Sequence, residues 1–285
     1  MLTDNLLSIL FCFGLVLYAF ASIRNVLKEK GVDPQLVEDA VGSNRDCIVF
    51  YGNKPGITDE DILRILSDWH PYYKNLHPSL QTRFANRVKQ FIQKKVFIIR
   101  SKEGFKEMPV LTSAAAVQLS FGLDDFLLPW FDFIQIYTEQ YFDDDSLKVL
   151  DGNVYGKTIT VAWSQFLKGN SDDVDGVNVG VHEMAHALYF QKVVLDKKDK
   201  IFKKIFAEVM KEGETIFSKR SQEPLLFRDY AFRNMQEFWA ESIEIFFEQP
   251  EYMQKMYTVF FDLIVKLLRQ DPRNKVSPLV DKQTV

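Results

Sequence analysis

The alternation of apolar and polar positions changes character along this chain. Leu6 to Ile23 reads LLSILFCFGLVLYAFASI and carries no charge. As a helix it spans roughly 27 Å, close to the hydrocarbon thickness of a bilayer. Ala19-Phe20-Ala21 resembles a leader cleavage site, but Asp4 stands where a leader has basic residues. Arg24, Lys28 and Lys30 follow at once, which favours an uncleaved anchor with its C-terminal side in the cytoplasm. Residues 1–24 are thus expected to be a transmembrane helix and 25–48 a polar juxtamembrane linker. Residues 49–275 form the main domain and 276–285 a flexible tail.

Within that domain Thr58 and Asp61 read as a helix start, with Ile62, Ile65 and Leu66 on one face. A second helix starts near Ser79 and carries Phe84, Val88, Phe91 and Ile92. VFIIR (96–100), FDFIQIYTE (131–139) and TITVAW (158–163) read as strands. LTSAAAVQLSFGL (111–123) between the first two reads as a buried helix. After residue 175 the pattern is helical over 176–193, 200–219, 232–248 and 250–268, with Gln249-Pro250 separating the last two. Few strands among many helices predict an α+β class, mostly helical with a small sheet.

Composition narrows the function. Lys and Arg number 35 against 39 Asp and Glu, a net charge of −4, without the basic excess of a nucleic-acid binder. Two cysteines, one inside the apolar run, give no disulfide framework. Lys197, Lys198, Lys200, Lys203 and Lys204 form a basic cluster, either a solvated face or a contact for anionic lipid. His70 and His77 have no fixed spacing to any other histidine and read as loop residues.

The chemistry concentrates at Val181-His182-Glu183-Met184-Ala185-His186. On a helix His182 and His186 lie about 40° apart and Glu183 about 60° from His186. Two imidazoles one turn apart can ligate one zinc, and the glutamate can act as base on a water held there. Two buried histidines without a metal would each need another partner. A catalytic zinc needs a third protein ligand. Gln236-Glu237-Phe238-Trp239-Ala240-Glu241 offers Glu237 and Glu241 on one helix face. They are either carboxylates drawn inward or, with Glu244 and Glu248, part of a solvated acidic face.

Four stretches resemble the Mlc titration factor A family of zinc peptidases and, more distantly, the catalytic domain of anthrax lethal factor. They are 111–123, GVNVGVHEMAHALYF (176–190), YAFRNMQEFWAESIEIFFEQPEYM (230–253) and YTVFFDLIVKLLRQDP (257–272). The resemblance implies a gluzincin-type, lethal-factor-like metallopeptidase with one Zn2+ per chain. His182, His186 and Glu237 would be its ligands and Glu183 its general base. Tyr230 would assist the transition state and Glu241 would support a zinc-binding histidine. Phe238-Trp239 replaces the family's usual Phe-Phe, and Leu188-Tyr189 stand where relatives often carry an aspartate. The expected partners are a peptide or protein substrate, which strand 158–163 would bind by edge pairing, and the membrane, with a cytoplasmic catalytic domain; aminopeptidase action is one form open to it. The alternative is a regulatory protein that sequesters a transcriptional repressor or other partner, with the zinc site mainly structural.

Overall fold

Val96 to Ile99 are all but inaccessible, as a continuous apolar run must be when both faces of its strand are covered. A computed structural model describes residues 37–38, 41–42, 46–52, 56–144, 146–172, 174–219 and 226–280. The chain divides into two units, Met1–Cys47 and Ile48–Val285, and the second carries every element named below. Its strands are β1 (Ile48–Tyr51), β2 (Val96–Arg100), β3 (Phe133–Tyr137), β4 (Tyr141–Asp143), β5 (Lys148–Leu150), β6 (Gly152–Tyr155) and β7 (Thr158–Ala162). Five form one sheet in the order β1-β2-β3-β7-β6. The pairs β2–β3 and β3–β7 are parallel, while β1 and β6 run antiparallel at the two edges. β4 and β5 pair as a separate hairpin.

Strand 158–163, expected to offer an edge for a peptide, is interior: Val161 pairs with Ile136 on one side and Gly152 on the other. The available edge is β6, whose sequence GNVY is short, begins with glycine and carries no alternation to announce it.

The helices are α1 (Asp59–Trp69), α2 (Pro71–Asn75), α3 (Pro78–Lys94), α4 (Glu107–Ser120), α5 (Trp163–Ser171), α6 (Val179–Tyr189), α7 (Lys200–Ser218), α8 (Met235–Glu248), α9 (Pro250–Met256) and α10 (Thr258–Leu268). Thr58 caps α1 as its sequence predicts: its Oγ1 accepts from Asp61 N (3.1 Å) and Asp61 Oδ2 accepts from Thr58 N (2.9 Å). His70 and His77 are the N-caps of α2 and α3. They stand apart from the histidine pair.

α4 is buried almost all round. Its small residues let neighbours approach, and Thr112, Ser113 and Ser120 return their hydroxyls to the carbonyl four residues back. α6 continues into a π-helical turn, Phe190–Leu195, which buries Lys192 against Asp125 (2.9 Å) and Asp199 (3.3 Å). The single helix expected over 250–268 is two, because Tyr257 leaves helical geometry (φ −137°) and packs its ring on Phe227.

Of the tail expected over 276–285, residues 276–280 are described: Val276 O accepts from His77 N (2.8 Å), and Leu279 bridges Gln270. No helix among the described residues is long and apolar enough to cross a membrane. The anchor expected over 1–24 and most of the linker lie outside them.

Candidate metal centre

The loop before α6 is anchored by two glutamates of α8. Glu248 Oε2 accepts from Gly176 N (2.9 Å) and Glu248 Oε1 from Asn178 Nδ2 (3.0 Å), while Glu244 Oε2 accepts from Asn178 N. Asn178 then caps α6 by accepting from Val181 N (3.0 Å). At Gly180 a Cβ would sit 2.4 Å from the Phe166 ring, so α5 and α6 pack backbone to ring. Across α6, Trp239 Nε1 donates to Ala185 O (3.0 Å). The tryptophan that departs from the family pattern thus ties α8 to α6.

Asn234 caps α8 through the N–H groups of Gln236 and Glu237, which places Glu237 in the first helical turn. There its carboxylate meets both imidazoles. His182 Nε2, His186 Nε2 and Glu237 Oε2 lie 3.2 to 3.3 Å from one another. His182 Nδ1 faces Glu244 Oε1 at 2.7 Å. An ionised carboxylate only accepts, so Nδ1 carries a proton, and Nε2 presents a lone pair to the cluster once it gives up its own proton to make way for a metal. Three atoms, each able to offer a lone pair, converge on one point, and these three residues form a group able to hold a metal ion.

The electrostatics say the same. Burial alone would lower the pKa of His182, but Glu237 and Glu244 outweigh it and raise it to about 10. Burial likewise pushes Glu237 up, yet the two imidazoles hold it well below the usual carboxylate range. The cluster is built for positive charge, supplied by protons or by a metal.

Glu183 is 6% exposed, and burial raises its pKa against the pull of His182 and His186. Among the described residues its Oε2 has no hydrogen-bond partner. The carboxylate rests on β6: a Cβ on Gly152 would fall 2.5 Å from Glu183 Oε1. Tyr230 sits on a 3-10 turn, Asp229–Arg233, with its ring 6.1 Å from that of His182. Burial is also the main cause of its raised pKa, with Glu237 adding to it. Two adjoining lobes of a cleft, about 980 and 390 Å³, meet at His182, Glu183 and Tyr230.

The structure brings together five of the six residues singled out in the sequence. The sixth, Glu241, touches neither imidazole. It is fully buried, accepts from Arg228 N and lies 3.4 Å from Arg228 Nε. The bond expected of Glu241 is made by Glu244, which also takes Arg228 Nη2 at 2.9 Å. Neither carboxylate belongs to a solvated face, since Glu244 is 1% exposed. The signal was present: seven residues on from Glu237 returns to within about 20° on a helix.

An uncharacterized protein of Synechocystis is 22% identical to this chain over 231 residues, 73% of this chain and 83% of its own length. The model of the family described as glucose-regulated metallo-peptidase M90 matches residues 52–269, which contain every residue of the cluster. The chain belongs to that metallopeptidase family.

Proposed function

We propose that the protein is a zinc-dependent peptidase that hydrolyses peptide bonds, with Glu183 as general base. The observation that carries this reading is the convergence of three lone-pair atoms beside a buried carboxylate that ligates nothing. With bonds of roughly 2.0–2.1 Å, tetrahedral zinc spaces its ligand atoms about 3.3 Å apart. The three atoms here stand 3.2 to 3.3 Å apart. Two imidazoles and one carboxylate, with a fourth position left open, are the donor set of a catalytic zinc.

When bound, zinc polarises the scissile carbonyl and eases deprotonation of a water. Glu183 takes the proton from the attacking water and returns it to the leaving amine; its Oε2, without a hydrogen-bond partner among the described residues, is free for both steps. Glu244 holds His182 in the tautomer that presents Nε2. Tyr230, its pKa raised, keeps its phenolic proton at neutral pH and offers it to the developing oxyanion. The edge of β6, beside Glu183, suits an extended peptide adding one more strand.

The regulatory alternative has no comparable support. A purely structural zinc site closes with four protein ligands, whereas the cluster gathers three beside a base. The membrane anchor and its cytoplasmic orientation remain proposals from the sequence alone.

The test is cleavage of a defined peptide mixture by zinc-loaded protein, with products read by mass spectrometry. Glu183→Gln is expected to keep its zinc and lose roughly 10²–10⁴ in turnover. Undiminished cleavage by that variant would remove Glu183 from the role of base.

A further inference from the structure

The two lobes of the cleft meet at the candidate metal centre, where Lys148, Gly152, His182, Glu183, Tyr230 and Arg233 line both. A peptide that occupies both lobes lies in a passage lined by Lys148 and Arg233. Of the residues common to both lobes the one carboxylate is that of buried Glu183, while Asp143, opposite Lys148 on the hairpin, lines the smaller lobe and Asp151, Asp172 and Asp175 the larger. The two cations are exposed, and neither forms an ion pair among the described residues.

Arg233 is also held in place. Its Cζ lies 4.3 Å above the ring centroid of Tyr230. A guanidinium held on an aromatic face loses less rotamer freedom on binding an acceptor, and of its five N–H donors only part is taken up by the Tyr230 side chain. The edge of a fixed guanidinium matches a carboxylate in bidentate geometry. Lys148 reaches the same passage from β5, on the hairpin.

We infer that Arg233, assisted by Lys148, binds a carboxylate of the substrate close to the scissile bond. This rests on the peptidase reading of the site and names a substrate class for it: peptides with an acidic side chain or a free C-terminal carboxylate at the cleavage point. Arg228, which lines the larger lobe, is already engaged by Glu241 and Glu244 and is not the receptor.

The test uses full-length zinc-loaded protein and one neutral peptide scaffold. Glutamate is placed at each position in turn, and every peptide is made with both an amidated and a free C-terminus. The parent is expected to favour the carboxylate-bearing peptides by roughly tenfold in kcat/KM. Position dependence points to a side chain, and dependence on amidation to the terminus. Arg233→Gln should remove that preference through KM. The pair Lys148→Glu with Arg233→Glu should move it toward lysine-bearing peptides.

Equal loss on every peptide, or no preference in the parent, overturns the inference and leaves Arg233 as a brace for Tyr230. Calorimetric binding of the same peptides to zinc-loaded Glu183→Gln decides carboxylate recognition without turnover. If the parent cleaves nothing while that binding still discriminates, the peptidase reading fails and the carboxylate site stands.

Discussion

At His182 the difference between a core histidine and a metal ligand is one proton on one nitrogen. Glu244 decides it by accepting from Nδ1 at 2.7 Å, and the same carboxylate holds Asn178 and Arg228. It therefore joins the start of the ligand helix, a ligand, and the residue that precedes the turn carrying Tyr230. Glu244→Gln is expected to weaken metal binding by roughly 10- to 100-fold, measured by competition with a chromophoric chelator. Glu241→Gln, which alters a contact to Arg228 only, should weaken it less; the reverse ranking would return the supporting role to Glu241. The pair His182 and His186 was legible because both ligands and the base sit within one turn of one helix. Glu237 needed the family resemblance, since a partner 55 residues away in the sequence leaves no local trace. Glu244 was hidden by its acidic neighbours: Glu241, Glu244 and Glu248 read as a solvated face until packing against α6 shows two of them fully buried.

Among the elements, β6 does most with least sequence signal. Its first residue, Gly152, pairs with Val161 and lies against the Glu183 carboxylate. Any side chain there must move the glutamate or the strand, because the three atoms a Cβ would meet first, Cγ, Cδ and Oε1 at 2.5 to 2.6 Å, are all those of Glu183. Gly152→Ala is expected to lower turnover by at least tenfold while leaving zinc content unchanged, as measured on the purified variant by peptide cleavage and metal analysis. Unimpaired turnover would show that Glu183 has room the packing denies it. The long helices and the central strands were readable from periodicity, since Thr58 with Asp61 and the run Val96–Ile99 each announce themselves over a few residues. β1, β6, the β4–β5 hairpin and α5 were not. Strands of three or four residues carry too little pattern, and α5 follows β7 without a capping side chain. The shift of the peptide-binding edge from β7 to β6 follows from that gap.

For the molecule as a whole, the interior holds, among the described residues, one ammonium without a carboxylate in contact. Lys95 is 2% exposed and donates to Leu128 O (2.8 Å) and Phe131 O (2.5 Å). Burial lowers its pKa to about 7, partly countered by Asp132. In the unfolded chain a lysine titrates near ~10.4. Between those values the unfolded state binds more protons than the native state, so this group makes stability rise with pH across about 7 to 10. The contribution fades as pH falls toward 7, where the native chain also takes up the proton. Lys95→Met should flatten that part of the curve of unfolding free energy against pH by up to about 1.4 kcal/mol per unit. The slope is the test, whatever the variant's stability at a single pH; an unchanged slope would mean the ammonium stays charged in the fold.

The most direct measurement of the central claim is metal content by elemental analysis of the purified protein, reloaded at neutral pH, beside Glu237→Gln. About one zinc per chain in the parent and a clear loss in the variant is the expected result. A parent that takes up no zinc, or a variant that holds it as tightly as the parent, would contradict a zinc centre built from His182, His186 and Glu237.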